Sequence, residues 1–181
     1  MRDPAGVARI DAVHAPGILA DAFARVHGAA HGAVADLTPD QLAWRADPDA
    51  NTIAWLVWHL ARVQDDHVAA VADVEQVWTA QGWARRFDLP LDDASIGYGH
   101  SSADVAAVRA GATLLTGYLD AVHQQTLRYL ATLTDADLDR VVDEEWDPPV
   151  TLAVRLVSVA DDDLQHAGQA AFLRGLLLRR G

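Results

Sequence analysis

Residues 51–67 read NTIAWLVWHLARVQDDH, and this stretch decides the fold class. Asn51 or Thr52 is placed to cap a helix beginning at Ile53, because a short polar side chain there accepts from amides that the first turn leaves unpaired. From Ile53 to about Val74, residues Ile53, Leu56, Val57, Leu60, Val63 and Val71 share one face at helical spacing. The opening IAWLVW is apolar all round, which predicts cover on more than one side.

Working outward, the same period returns on both sides. Towards the N-terminus, Ile18, Leu19, Ala22, Phe23, Val26 and Ala30 form a stripe over about residues 16–35. Thr38 followed by Pro39 then opens a short helix reaching Trp44. Towards the C-terminus the pattern weakens between Glu75 and His100, with a short helix expected around residues 83–87 before Pro90, Gly97 and Gly99. A third helix is expected from Ser101 or Ser102, with Asp104 close behind, to about Leu133. Thr134 caps another short helix, and Pro148 and Pro149 break the chain after EEWD. Thr151 caps a last helix over residues 152–178. Nothing alternates like a strand. The expectation is an all-α four-helix bundle, one domain over residues 1–181, with a long connection between its second and third helices.

The composition limits the chemistry. The chain has 181 residues, enough to bury roughly 70% of its unfolded surface without a disulfide or structural metal. Its net charge of −12 would reach only −4 with all eight histidines protonated (−12 + 8), which argues against nucleic acid or an anionic membrane as partner. No run of about 18 apolar residues occurs, and the N-terminal stretch lacks an apolar segment suited to a signal peptide, so a cytoplasmic location is expected. Cysteine is absent, which excludes disulfides, a thiolate nucleophile and Cys-ligated metals. Any sulfur chemistry therefore needs an external thiol. With four serines and neither GxSxG nor HExxH, serine hydrolysis and that zinc motif are set aside. GYGHSS, from Gly97, begins like a dinucleotide fingerprint but lacks the third glycine and a preceding strand. Glu144 and Glu145 lie in a proline-bounded loop and read as a solvated pair.

Two helical stripes carry the candidate site. On the last helix, Asp162 and His166 stand one turn apart on one face, Gln169 continues the stripe, and Arg155 lies two turns earlier on the same side. On the second helix, His59 follows six apolar residues in a segment expected to be buried. Two imidazoles and a carboxylate from two long helices make a donor set with open positions, suited to zinc, nickel or iron. The blander reading keeps both histidines as hydrogen-bonded core groups and Asp162 as one of three solvated aspartates.

The segment NTIAWLVWHLARVQDDH from Asn51, followed by WDPPVTLAVRLVSVADDDLQHAGQAAFLRG from Trp146, resembles the DinB-like superfamily. Within it the chain is similar to the actinobacterial branch that includes mycothiol-dependent maleylpyruvate isomerases and thiol S-transferases. That resemblance implies a four-helix bundle, often a homodimer, with a metal triad matching His59, Asp162 and His166. The second position carries His or Glu more often than Asp. The resemblance further implies a divalent ion, zinc or nickel, and mycothiol as the thiol whose sulfur is presented to a small electrophile in a transfer or isomerisation. Arg155 would meet a carboxylate of thiol or substrate, or form a surface ion pair. The alternative is a non-catalytic metal-binding or stress-associated protein of the same fold. His67 is expected as a core histidine, with a ligand or substrate role as the other option. His14, His27, His31, His100 and His123 have no partner assignable by spacing. Of the six tryptophans, most are expected in the core, with some free to wall a pocket beside the metal or a dimer surface.

Overall fold

The computed structural model describes residues 14–180; most of the N-terminal stretch considered above as a signal segment lies outside them. Four long helices dominate: α1 (Ala15–Val34), α3 (Ile53–Ala72), α7 (Ala112–Leu130) and α8 (Leu152–Leu178). Short helices α2 (Pro39–Leu42), α4 (Val77–Ala80), α5 (Trp83–Phe87) and α6 (Ser102–Ala107) occupy the connections. Each of α1 and α3 packs against both α7 and α8, so the order around the bundle is α1, α8, α3, α7. This is the all-α architecture expected.

Local chemistry sets most boundaries. The Thr52 hydroxyl accepts from the Trp55 amide at 3.0 Å, and the Thr151 hydroxyl from that of Val154 at 3.3 Å. Thr38 and Gln41, and likewise Ser101 and Asp104, satisfy each other's end groups reciprocally. His14 caps α1 by accepting from Gly17. Every residue from Thr52 to Asp65 is buried, so the apolar-all-round opening of α3 is enclosed as expected, together with His59, Arg62, Gln64 and Asp65.

Two expectations need correction. The third helix is not continuous: α6 ends at Ala107, Val108 turns out of helical geometry (φ −76°, ψ 90°), and Gly111 caps the start of α7. Val105, Val108, Leu114 and Leu115 keep helical spacing through the break, because a kinked chain can still bury residues three or four apart. The chain also contains a two-stranded antiparallel ribbon, β1 (Val141–Asp143) with β2 (Val150–Thr151), before α8. It is too short to display alternation.

Buried polar groups tie the long connection to the bundle. The Asp65 carboxylate accepts from the Val77 and Trp78 amides, 2.8 Å each, and from the Tyr118 hydroxyl at 2.8 Å. Arg62, fully buried, donates to Gln76 at 2.8 Å and to the carbonyls of Ser95 (3.2 Å) and Asp93 (3.4 Å). One turn of α3 thereby fixes both ends of residues 76–95.

Candidate metal centre and adjoining cavity

His59 sits on α3 at the seam with α8. Its Nδ1 bonds the Ile96 carbonyl, an acceptor only, so Nδ1 carries the proton and Nε2 is left as the free donor atom. Trp55, one turn earlier, stacks on the ring with centroids 4.5 Å apart and planes 18° from parallel. Burial holds the imidazole below its ordinary pKa, aided by nearby His166 and opposed by the Ile96 bond.

Asp162 and His166 face it from α8. The His59 and His166 ring centroids are 4.8 Å apart, and His166 Nε2 lies 3.7 Å from Asp162 Oδ1. One ligand atom from each of the three residues falls within 4.8 Å of the others. His166 Nδ1 is taken by Gln169 Oε1 at 3.3 Å, so both imidazoles keep Nε2 towards the common point. Asp162 Oδ2 is buried and has no protein hydrogen-bond partner. A buried carboxylate oxygen without a donor is costly unless a cation or water completes it, and a divalent ion fits this donor set.

The loop carrying Ile96 explains GYGHSS. Gly97 has φ +105° and is buried against His59; a Cβ there would collide with the ring, meeting its Cγ and Cε1 at 3.1 and 3.2 Å. Absence of a side chain lets the backbone close on the imidazole. His100 accepts at Nδ1 from the Trp55 indole (3.1 Å), bonds Ser95 Oγ through Nε2 (2.7 Å), and stacks near Trp58. The motif thus holds this loop against α3, and no strand leads into it.

A cavity of about 380 Å³ adjoins the donors, and Asp162 forms part of its wall. His67, Arg155, Tyr98, Trp146 and Val154 are among its other lining residues. His67 is therefore not the core histidine expected: it is half-buried, and Arg155 Nη1 donates to its Nδ1 at 3.1 Å. The helical offset that turned it from His59 also turned it to this cavity. Arg155 is held on its other side by Asp143 Oδ2 at 2.9 Å, so its ion pair is partly sheltered. Tyr98 stands edge-on to His59, 5.5 Å between centroids, and its hydroxyl is pushed above the ordinary phenol range by burial and by Asp162 and Asp163. Trp146 and Tyr98 lie in connections, where spacing carries no signal; Ser158, also in the wall, is one turn before Asp162 and shared its legible face.

Among residues 161–163 the sequence reading separated Asp162 alone. Asp163 is in fact fully buried with both oxygens unpartnered, and burial together with Asp162 drives its carboxyl well above the usual range. It continues the inward stripe of Leu156, Val159, Ala167 and Ala170, so the helical period itself carries the signal.

The mycothiol S-transferase family profile matches residues 18–178. A conserved protein from Enterococcus faecalis, known from its crystal structure, is similar at 32% identity and a TM-score of 0.86, covering 93% of this chain and 99% of that one. No curated protein matches. The match extends from the first turn of α1 to the end of α8, and the chain belongs to the mycothiol S-transferase family, a DinB-like family.

Proposed function

We propose that the protein transfers a low-molecular-weight thiol, mycothiol by its family, to a small electrophile in the cavity beside His59, Asp162 and His166, which hold a divalent ion such as zinc or nickel. The observation that carries this reading is the double position of Asp162, a member of the donor cluster and of the cavity wall at once. A divalent ion so held supplies a Lewis-acid position at which a thiol loses its proton near neutral pH. His59 and His166 are oriented for that task by the acceptors on their Nδ1 atoms. Arg155, braced by His67 and Asp143, offers a pre-oriented guanidinium to a carboxylate of thiol or electrophile. The chain has no cysteine, so the sulfur must come from solution.

In the net step the S–H bond breaks, sulfur bonds to one carbon of an activated double bond, the π electron pair moves to the other carbon, and that carbon takes up a proton in place of the one the thiol released. Retention of the adduct is transfer; reversal after rotation about the former double bond is isomerisation. A homodimer and a cytoplasmic setting belong to the same proposal; Val157, Leu164 and Phe172, exposed within ~80° of arc on α8, are a surface a second copy would cover. The test uses tag-free protein, mycothiol and a panel of electrophiles, with metal removed by chelation and restored. Conjugation that requires metal and is lost in His166→Ala is expected. Metal binding with no conjugation across the panel would overturn the transferase reading and leave a binding protein.

A further inference from the structure

The opposite seam of the bundle, between α1 and α7, holds a second group of the same composition. His27 and His31 stand one turn apart on α1, and each brings Nε2 to 2.7 Å from the same oxygen, Oδ1 of Asp120 on α7. The two rings lie 4.4 Å apart and tilted by 47°, so both nitrogens converge without the rings stacking. At the first group one helix gives Asp and His four residues apart and the facing helix a His. Here one helix gives two His four residues apart and the facing helix the Asp. His123, one turn after Asp120, stacks on His27 at 4.4 Å, and its Nδ1 is buried with no hydrogen-bond partner.

We infer that His27, His31 and Asp120 form a second site for a divalent transition-metal ion, independent of the His59 site and of the reaction proposed there. Imidazole and carboxylate donors suit zinc, cobalt(II) or nickel, and three protein ligands leave coordination open to water. The present 2.7 Å separations are hydrogen-bonded contacts. Donors around a four-coordinate ion with bonds of about 2.0–2.1 Å sit roughly 3.3 Å apart, so loading requires the three side chains to open by about half an ångström. Their side-chain exposures of 27%, 36% and 44% leave room for that shift. His123 covers one face of the His27 ring. An ion here ties α1 to α7 across 89–93 residues of sequence, so it acts on the fold rather than on the cavity.

The test titrates the full, tag-free, chelator-treated protein with Zn²⁺ and with Co²⁺, reading stoichiometry by calorimetry and cobalt coordination by visible absorption. The wild type is expected to take two equivalents. His59→Ala/His166→Ala should retain one, and His27→Ala/His31→Ala should retain the other, with at least a tenfold weaker second event. Asp120→Asn, checked by circular dichroism for intact helix content, keeps the test open should the double histidine variant fold poorly. A wild-type stoichiometry of one that falls to zero in His59→Ala/His166→Ala overturns the inference. So does a second equivalent indifferent to His27, His31 and Asp120.

Discussion

Replacing Gly97 by Ala, with Gly99→Ala as its control, isolates the contact that orients His59. Both glycines have positive φ, +105° and +71°, and lie two residues apart in one loop. At Gly99 a Cβ would meet nothing within 4 Å, so alanine costs only the left-handed conformation, about 1–2 kcal/mol. At Gly97 the same side chain would run into the His59 imidazole. Either the ring turns or the Ile96 carbonyl withdraws, and the bond between them is lost, adding about 0.5–1.5 kcal/mol to a conformational cost of about 1–3 kcal/mol. The expected loss is about 1.5–4.5 kcal/mol by urea denaturation of metal-free protein. Zinc affinity should separate the pair further. An imidazole released from its orienting acceptor typically loses about 10–100-fold in metal binding, whereas Gly99→Ala should leave affinity unchanged. Equal destabilisation and equal zinc affinity for the two variants would refute the orienting role of the Ile96 carbonyl.

Three further outcomes follow from named contacts. Asp65→Ala leaves the amides of Val77 and Trp78 and the Tyr118 hydroxyl without their acceptor, and the buried Arg62 charge without its carboxylate 3.8 Å away, and should cost about 3–5 kcal/mol of unfolding free energy; a loss below about 1 kcal/mol would contradict the anchoring described. Burial, with Asp65 beside it, raises the Tyr118 phenol well above its ordinary 10.0. Below pH 10 the folded and unfolded chains both keep that proton, but above it the unfolded chain ionises first, so stability falls as pH rises. Tyr118→Phe should flatten this alkaline limb in urea titrations between about pH 9 and 11, Tyr98 and Tyr129 leaving a residual slope, and an unchanged limb would discount Tyr118 as its source. Arg155→Ala should raise KM for a carboxylate-bearing electrophile about 10–100-fold, the value of a charge-assisted hydrogen bond, with little change for a neutral one. Equal losses on both would point to a supporting role for Arg155 in the cavity wall.

The long helices were legible because each carries its own start signal and its own apolar stripe: Thr52 and Thr151 cap where the sequence places them, and α8 spans the expected residues. His59, Asp162 and His166 could be grouped because one pair is set by helical spacing and the third lies in an apolar segment; the family resemblance supplied the pairing of α3 with α8. His27 and His31 have the same spacing as Asp162 and His166. They stayed unassigned because their partner, Asp120, follows 89–93 residues later on a helix whose phase the sequence alone does not fix. The break at 108–111 was hidden for a different reason, since Val108 is fully buried outside the helix and so mimics a helical core position. Asp65 and Arg62 stand outside the apolar stripe by which the helix is read, and only the returning connection shows what they hold.

The spacing of His59 and Arg62 on α3 has an engineering consequence. Their side chains grip the carbonyls of Ile96, Ser95 and Asp93 from one face of a single turn. One residue inserted between them would rotate Arg62 by ~100° relative to His59, and the chain at residues 93–96 could follow only one of the two. Residues 59–62 therefore form a segment of fixed length, a ruler against which residues 93–96 are cut. Lengthening is better directed to residues 90–92, ahead of the first gripped carbonyl, where the chain between the Trp78 and Asp93 grips can bow outward without changing the phase of either.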